Sequence, residues 1–203
     1  VQEVLRAGVK NGSVPASAGP ARAGAAGWLL GLLAACLACT AFLYDHHGCL
    51  VPGDHGRDLN AYRRAELGET PYRDFQWKYG PLMPYVYAAA WRLAGSDLAV
   101  LRAAYLLLLT ATAVLLFYVA RRLLPPPLAF LAALCAFAHG QPFHTYNHVG
   151  GMLFGALATL LLLRWREEQG RRPWLLAAAC AAQVCFALVK LNMGAAIALA
   201  RAA

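Results

Sequence analysis

Apolar residues in this chain come in long blocks, and a segment with so few polar interruptions has no face to turn to water. The runs are Gly27–Tyr44, Leu98–Ala120, Pro127–Ala138, Val149–Leu163 and Pro173–Val189, with a further run opening at Leu191. Strict alternation would mark half-buried strands and a 3.6-residue stripe would mark surface helices; blocks mark helices surrounded by apolar matter. A bilayer core about 30 Å thick needs roughly 20 helical residues to cross it. Gly27–Tyr44 and Leu98–Ala120 meet that need, while Pro127–Ala138 and Val149–Leu163 are short and are taken as spans by their position in the series. Composition agrees: apolar residues make up 60% of the 203 positions and charged residues 14%, with mean hydropathy +0.48, too little charge to cover a water-soluble domain of this size.

The expected architecture is therefore all-α: a polytopic transmembrane helix bundle. Its spans fall at about 27–44, 98–120, 127–140, 149–163, 173–189 and 191–203. An external loop covers 45–97, and a disordered cytoplasmic tail covers 1–26. The tail is rich in Ala, Gly, Ser and Pro and carries Arg6, Lys10 and Arg22, a composition that buries too little to order itself. A start at Val1 and an end within an apolar run lead to the expectation of a piece of a longer protein. No small-residue cleavage site follows Tyr44, so the first run reads as a retained helix rather than a signal peptide.

Basic residues in short loops mark the cytoplasmic side. Arg121–Arg122, Arg164, Arg166 and Arg171–Arg172 fall there, whereas Gln141–His148 has no Lys or Arg and falls outside. With the N-terminal tail inside, residues 45–80 are external, and parity leaves only one crossing between 80 and 121. Pro81–Ala94 is then not a span but a helix along the outer interface, which Tyr85, Tyr87 and Trp91 suit. The net charge of +8 sits mainly beside apolar runs, the topogenic pattern, and nucleic-acid binding is not expected. The Ala-, Gly- and Arg-rich composition fits a bacterial plasma membrane. Cys36 and Cys39 form a C-x-x-C inside an apolar helix, where packing explains them better than redox or metal chemistry.

The first loop is where chemistry concentrates. Residues 45–80 hold Asp45, Asp54, Asp58, Glu66, Glu69 and Asp74, together with Arg57, Arg63, Arg64, Arg73 and Lys78. They also hold Tyr62, Tyr72, Phe75, Trp77 and Tyr79, and the pattern over Asp58–Leu67 predicts an amphipathic helix. A solvated linker is the plain alternative, but linkers seldom combine aromatic density with a helical stripe. A mixed-charge segment between membrane helices is suited to holding an anionic lipid head group while a carboxylate handles a proton.

The string Gly68-Glu69-Thr70-Pro71-Tyr72-Arg73-Asp74-Phe75, followed by Lys78-Tyr79-Gly80-Pro81-Leu82, resembles the first external loop of GT-C membrane glycosyltransferases. It is most similar to bacterial relatives of protein O-mannosyltransferase and of the lipid A aminoarabinose transferase. Weaker echoes lie at Leu101-Arg102, at Tyr146-Asn147-His148 and at Leu188–Gly194, so the resemblance spans about Gly27 to Ala200. It implies a transferase that moves a hexosyl or pentosyl group from a polyprenyl-phosphate donor to an acceptor at the outer face, with the first-loop aspartate as general base. Spacing to Gly68 favours Asp54 for that role, with Asp58 the second candidate, or else a carboxylate at the N-terminus of the short helix. The resemblance makes Arg57 and Lys78 donor-phosphate ligands, and Arg73 is a third candidate; interfacial snorkelling is the other reading of each cation.

Asp74 is expected to shape the loop through Arg73 or Lys78, with a cavity role second. His148 and Lys190 are candidate cavity residues: His148 for proton transfer or acceptor binding, Lys190 because an ammonium within an apolar stretch needs a partner or the outer surface. No metal site is assigned, since His46, His47 and His55 with Asp45 and Asp54 lack a fixed ligand spacing; the resemblance admits a divalent cation and does not require one. The acceptor is not named by any residue pattern. The competing class is a transporter or flippase for a lipid-linked or anionic substrate, which would carry midplane charges and an inverted repeat. Neither is seen. Gly150, Gly151 and Gly155 predict close helix packing.

Overall fold

A computed structural model describes residues 21–46, 54–143 and 146–190, with the backbone alone described at 21–23, 25, 42–46, 54 and 140–143. Among the described residues every regular element is helical, and the nearest approach to a strand is a single bridge between Pro71 and Phe75. In chain order the helices are α1 (Ala21–His46), α2 (Asp54–Glu66), α3 (Leu82–Ala94), α4 (Leu98–Ala120), α5 (Pro126–Phe143), α6 (Tyr146–Glu167) and α7 (Pro173–Val189). Two of them, α4 and α6, are long and apolar enough to cross a membrane; the described apolar stretches of α1, α5 and α7 are shorter.

The bounds of α4 and α7 are those the sequence predicts. Asp97 caps α4, its side chain accepting from the Ala99 amide at 2.8 Å, which satisfies one of the amides a helix start leaves open. Pro173 opens α7 at a position where its missing N–H costs nothing. Elsewhere the bounds move outward. Helix α1 begins at Ala21 rather than Gly27, because the Ala-rich stretch assigned to the tail has high intrinsic helix propensity. Helix α5 continues to Phe143 and α6 starts at Tyr146. Of the loop expected at Gln141–His148, positions 141–143 belong to α5, and Asn147 and His148 sit in the first turn of α6. The expected tail before Ala21 and the expected sixth span from Leu191 fall outside the described residues.

The core is built around α4, which packs against α5 on one side and α6 on the other and also touches α3, with α1 against α5 and α7 against α6. Leu101, Tyr105, Leu109, Ala113 and Phe117 present one buried face of α4 at four-residue spacing, and Trp28 of α1 packs on Phe130 of α5 with ring centres 5.7 Å apart. Helices α6 and α7 approach through small residues: the Phe186 ring lies against Gly151 and Gly155, and a Cβ on Gly151 would come within 3.1 Å of it. Leu30, Leu37, Leu107, Leu128, Leu131 and Val184 are exposed, an apolar outer surface of the kind bilayer lipid covers. The C-terminal ends of α4 and α6 meet through Arg122 and Glu167, 2.8 Å apart, so these two helices run in the same direction. Helix α3 has 13 residues, and at about 1.5 Å per residue it is roughly 20 Å long, short of a membrane crossing.

Candidate functional site

Helix α2 begins at Asp54, four residues ahead of the expected start at Asp58. Asp58 is therefore in its second turn, not at its N-terminus, and the helix-dipole role considered for it does not apply. The buried stripe of α2 is Asp58, Ala61, Tyr62 and Ala65, with three- and four-residue spacing, so the carboxylate occupies a position where an apolar residue would be usual. A buried carboxylate requires a partner. Arg57 supplies one: its Nε and Nη2 donate to Asp58 Oδ1 at 3.2 and 2.9 Å. Adjacent residues on a helix do not face one another, so the guanidinium folds back over the helix surface to make this contact. There it also lies over the rings of Tyr79, 5.2 Å from the centroid, and Trp77, 6.0 Å. Carboxylate and ring faces hold the guanidinium in one place.

Asp54, the first choice for a base, is the first residue of α2, one helical turn from Asp58; its side chain lies outside the described residues. Of the histidine and aspartate group considered for a metal, His47 lies outside them too, as do the side chains of Asp45 and His46. No cluster of three or more His, Cys, Asp or Glu side chains occurs among the described residues. His55 stacks obliquely on Tyr146, ring centres 5.2 Å apart.

The floor below α2 is aromatic. Tyr62 and Tyr87 are 4.7 Å apart by ring centres, Tyr105 meets Tyr146 edge-on at 5.1 Å, and the Tyr87 hydroxyl donates to the Tyr146 carbonyl at 3.0 Å. Burial pushes the Tyr62 and Tyr87 hydroxyls well above the usual phenol range, and the nearby Asp58 carboxylate adds to this. Both remain protonated donors at any physiological pH. The Tyr62 hydroxyl and Asn147 Oδ1 are buried with no hydrogen-bond partner among the described residues.

The loop after α2 is tied down by its own charges. Asp74 accepts from the Thr70 amide at 2.7 Å and from the Arg73 guanidinium at 3.0 and 2.8 Å; the Arg73 bond and then the Thr70 amide hold its carboxyl down at about 2. Arg64 bonds Glu69 and donates to the Asp74 carbonyl at 2.6 Å. Arg92 of α3 caps the last carbonyls of α2, donating to Ala65 O at 3.0 Å and Glu66 O at 2.6 Å. Tyr72 holds a left-handed backbone, φ 67°, a conformation L side chains rarely adopt, and its hydroxyl donates to the Tyr79 carbonyl.

The turn at 78–81 then docks on the C-terminus of α7. The Gly80 amide donates to Val189 O at 3.0 Å, filling a carbonyl that the helix end leaves open, and Trp77 Nε1 donates to Gly80 O at 2.9 Å. A Cβ on Gly80 would lie 1.8 Å from the Leu188 carbonyl oxygen, so only glycine permits this approach. Between turn and helix is a cleft of about 380 Å3 lined by Lys78, Tyr79 and Lys190 on its polar side and Pro81, Ala187 and Leu188 on its apolar side. Lys190 Nζ is 2.9 Å from His148 Nε2, and the His148 ring meets Tyr79 edge-on at 5.7 Å.

The structure thus brings together Arg57, Lys78, His148 and Lys190 around the Tyr79 ring, with Asp58 behind Arg57. Arg73 and Asp74 are not part of that group: they pair with each other on the loop surface, 72% and 30% exposed as side chains, and neither lines the cleft. The bonds of Asp74 run within the loop, to Arg73 and to the Thr70 amide. Sequence reading missed the Arg57–Asp58 pair and Tyr105; the four-residue step from Asp58 to Tyr62 was the available signal for a buried carboxylate. Comparison with family models, curated proteins and solved structures finds no match to this chain.

Proposed function

We propose that this chain is a multi-pass membrane glycosyltransferase domain that moves a sugar from a polyprenyl-phosphate donor to an acceptor on the outer side. The observation that carries the reading is the gathering of Arg57, Lys78 and Lys190 around Tyr79, one helical turn from the Asp54 position and beside an apolar wall. A phosphate ester on a long lipid needs that combination of cations and apolar surface. Transfer forms a bond from the acceptor oxygen to the anomeric carbon and breaks the bond from that carbon to the phosphate oxygen. The hydroxyl proton passes to a carboxylate, assigned to Asp54, while cations neutralise the charge gathering on the departing phosphate. Asp58 serves this scheme by fixing Arg57, since its Oδ1 already takes two guanidinium N–H bonds. The six-span topology with the α2–α3 end outside, in a plasma membrane, belongs to the same proposal.

The test is Asp54→Asn assayed in membrane vesicles for release of labelled sugar from polyprenyl-phosphate donors. Loss of transfer with normal membrane insertion is expected. Full activity in that variant overturns the assignment of the base. A flippase would move the lipid across the bilayer without breaking its sugar–phosphate bond, so an intact donor after incubation with the unaltered protein selects that reading instead.

A further inference from the structure

Lys190 Nζ and His148 Nε2 lie 2.9 Å apart, and a hydrogen bond at that distance needs a lone pair on one of the two nitrogens. An ammonium has donors only, so the ring nitrogen accepts, and His148 is the neutral tautomer with its proton on Nδ1. The pair holds one charge and has no room for two. A free imidazole takes up its second proton at about pH 6.5, whereas a lysine gives up its own only at about pH 10.4, so His148 is the member that acid changes. Its position gives that change a consequence. His148 is in the first turn of α6, and Lys190 follows the last residue of α7. The His148 ring also stands edge-on to Tyr79 of the docked turn, 5.7 Å between centres. Helix α6, helix α7 and the turn all meet at this one ring.

We propose that His148 and Lys190 form an acid-sensitive hook: neutral His148 holds the end of α7 against the start of α6, and protonated His148 releases it. Among the described residues, the groups facing the pair are Lys78 and Tyr79 of the turn, Tyr72 across the cleft, and Arg57 of α2 over the Tyr79 ring. His55 of α2 lies against Tyr146, two residues before His148. Tyr87 of α3 and Tyr105 of α4 also meet Tyr146, and as phenols they add no charge in acid. The carboxylate of this set is Asp58, which Arg57 already occupies. A second proton on His148 thus sets an imidazolium against an ammonium, and like charges in contact repel. Lys190 is the one to give way, because His148 is built into α6. Little else holds the last turn of α7 at this point. Asn147 Nδ2 donates to Val189 O at a long 3.4 Å, and the Gly80 amide donates to the same oxygen at 3.0 Å. Release therefore parts the 78–81 turn from α7 and widens the cleft between them. The hook is independent of the transfer reading and acts in whichever compartment this end of the bundle faces.

The experiment is a pulsed spin-label distance measurement on the full chain in detergent, with its own cysteines replaced. Nitroxides are placed through Gln76→Cys and Leu188→Cys, both exposed positions, one ahead of the turn and one on the last turn of α7. At about pH 8 one short distance is expected. As pH falls to about 5, across the range in which histidine titrates, a longer distance should grow from the minor to the major fraction and revert when the pH is restored. His148→Gln keeps an acceptor for Lys190 and takes no proton, so it should hold the short distance throughout. Lys190→Met removes the charge that is repelled, so its distance should not change with pH either. His55→Gln should leave the transition as it is. A distance that stays the same over this range in the parent chain overturns the hook. So does a transition that survives in His148→Gln or in Lys190→Met, or one that His55→Gln abolishes. Because His148→Gln and Lys190→Met test the two partners separately, either one decides the matter if the other fails to insert.

Discussion

The two charged ends of the helix bundle have clefts of similar size and opposite character. At the α6–α7 turn a cleft of about 430 Å3 is lined by Glu167, Glu168, Arg171 and Arg172 with Gln169, and there the charges balance. They also pair in the open: Arg172 with Glu168 at 2.6 Å and Arg122 with Glu167 at 2.8 Å, the glutamate of the second pair 54% exposed. At the α2–α3 end the cleft of about 380 Å3 has two lysines and, among the described residues, no acid, and the nearby Arg57–Asp58 pair has its carboxylate fully buried. Aromatic rings surround the cations at this end. The first end keeps its charges paired and exposed, as the basic flanks of apolar helices commonly do. At the second, Lys78 is exposed and Lys190 half-buried, and neither pairs with a carboxylate among the described residues, an arrangement that an anionic ligand would stabilise.

That contrast can be broken or sharpened by substitution, and the largest effect should come from Gly80→Ala. The added Cβ meets backbone, not a side chain that can swing away, so the turn must leave α7. Loss of the folded protein, or a collapse in its detergent melting temperature, is expected. Gly150→Ala is the internal control: its Cβ would meet the sulfur of Met83, the flexible end of a side chain, and a smaller fall is expected. Next is Arg57→Ala, which leaves the buried Asp58 carboxylate without its guanidinium and should cost about 3 kcal/mol in unfolding free energy. A loss below roughly 1 kcal/mol would remove the buried end of the comparison.

The loop offers a pH test of intermediate size. The folded-state value of Asp74 is depressed to about 2 against an unfolded carboxylate near 3.9. Its contribution to loop order is therefore complete above pH ~4 and fades as pH falls through about 2. Proteolytic sensitivity of residues 68–76 should rise in acid over that window in the unaltered protein. In Asp74→Asn the sensitivity should already be high at neutral pH and change little with acid. The smallest effect is Arg122→Ala: an exposed surface pair is worth about 0.2–1 kcal/mol, and a larger loss would mean the far end is less solvated than its exposure indicates.

Much of this contrast was legible in the sequence. The block pattern identified an all-helical chain and gave α4 and α7 their bounds, because nothing within them competes with helix and Asp97, Pro173 and the Arg121–Arg122 pair punctuate them. Helix α2 was read four residues short. Gly56 in Asp54-His55-Gly56 signals a loop at a local cost of about 1 kcal/mol, and burial of Tyr62 and Asp58 outweighs it. The loop's ion pairs were partly foreseen, since Arg73 and Asp74 are neighbours. The Lys190–His148 contact was not: those residues are 42 positions apart, and only the close approach of α6 and α7 over Gly151 and Gly155 brings their ends together. Arg57 pairing with Asp58 was hidden for a different reason, because adjacent helical positions point apart and only the length of an arginine closes the gap.

The account depends most directly on the two ends facing opposite compartments, with the cleft of Lys78 and Lys190 on the outer side. In a chain whose own cysteines are replaced, single cysteines at Gln76 and at Gln169, both exposed, can be treated with a membrane-impermeant maleimide on intact cells and again after permeabilisation. Labelling of position 76 in intact cells and of position 169 only after permeabilisation is the predicted result. Labelling of position 169 but not 76 in intact cells, or of both alike, would contradict it.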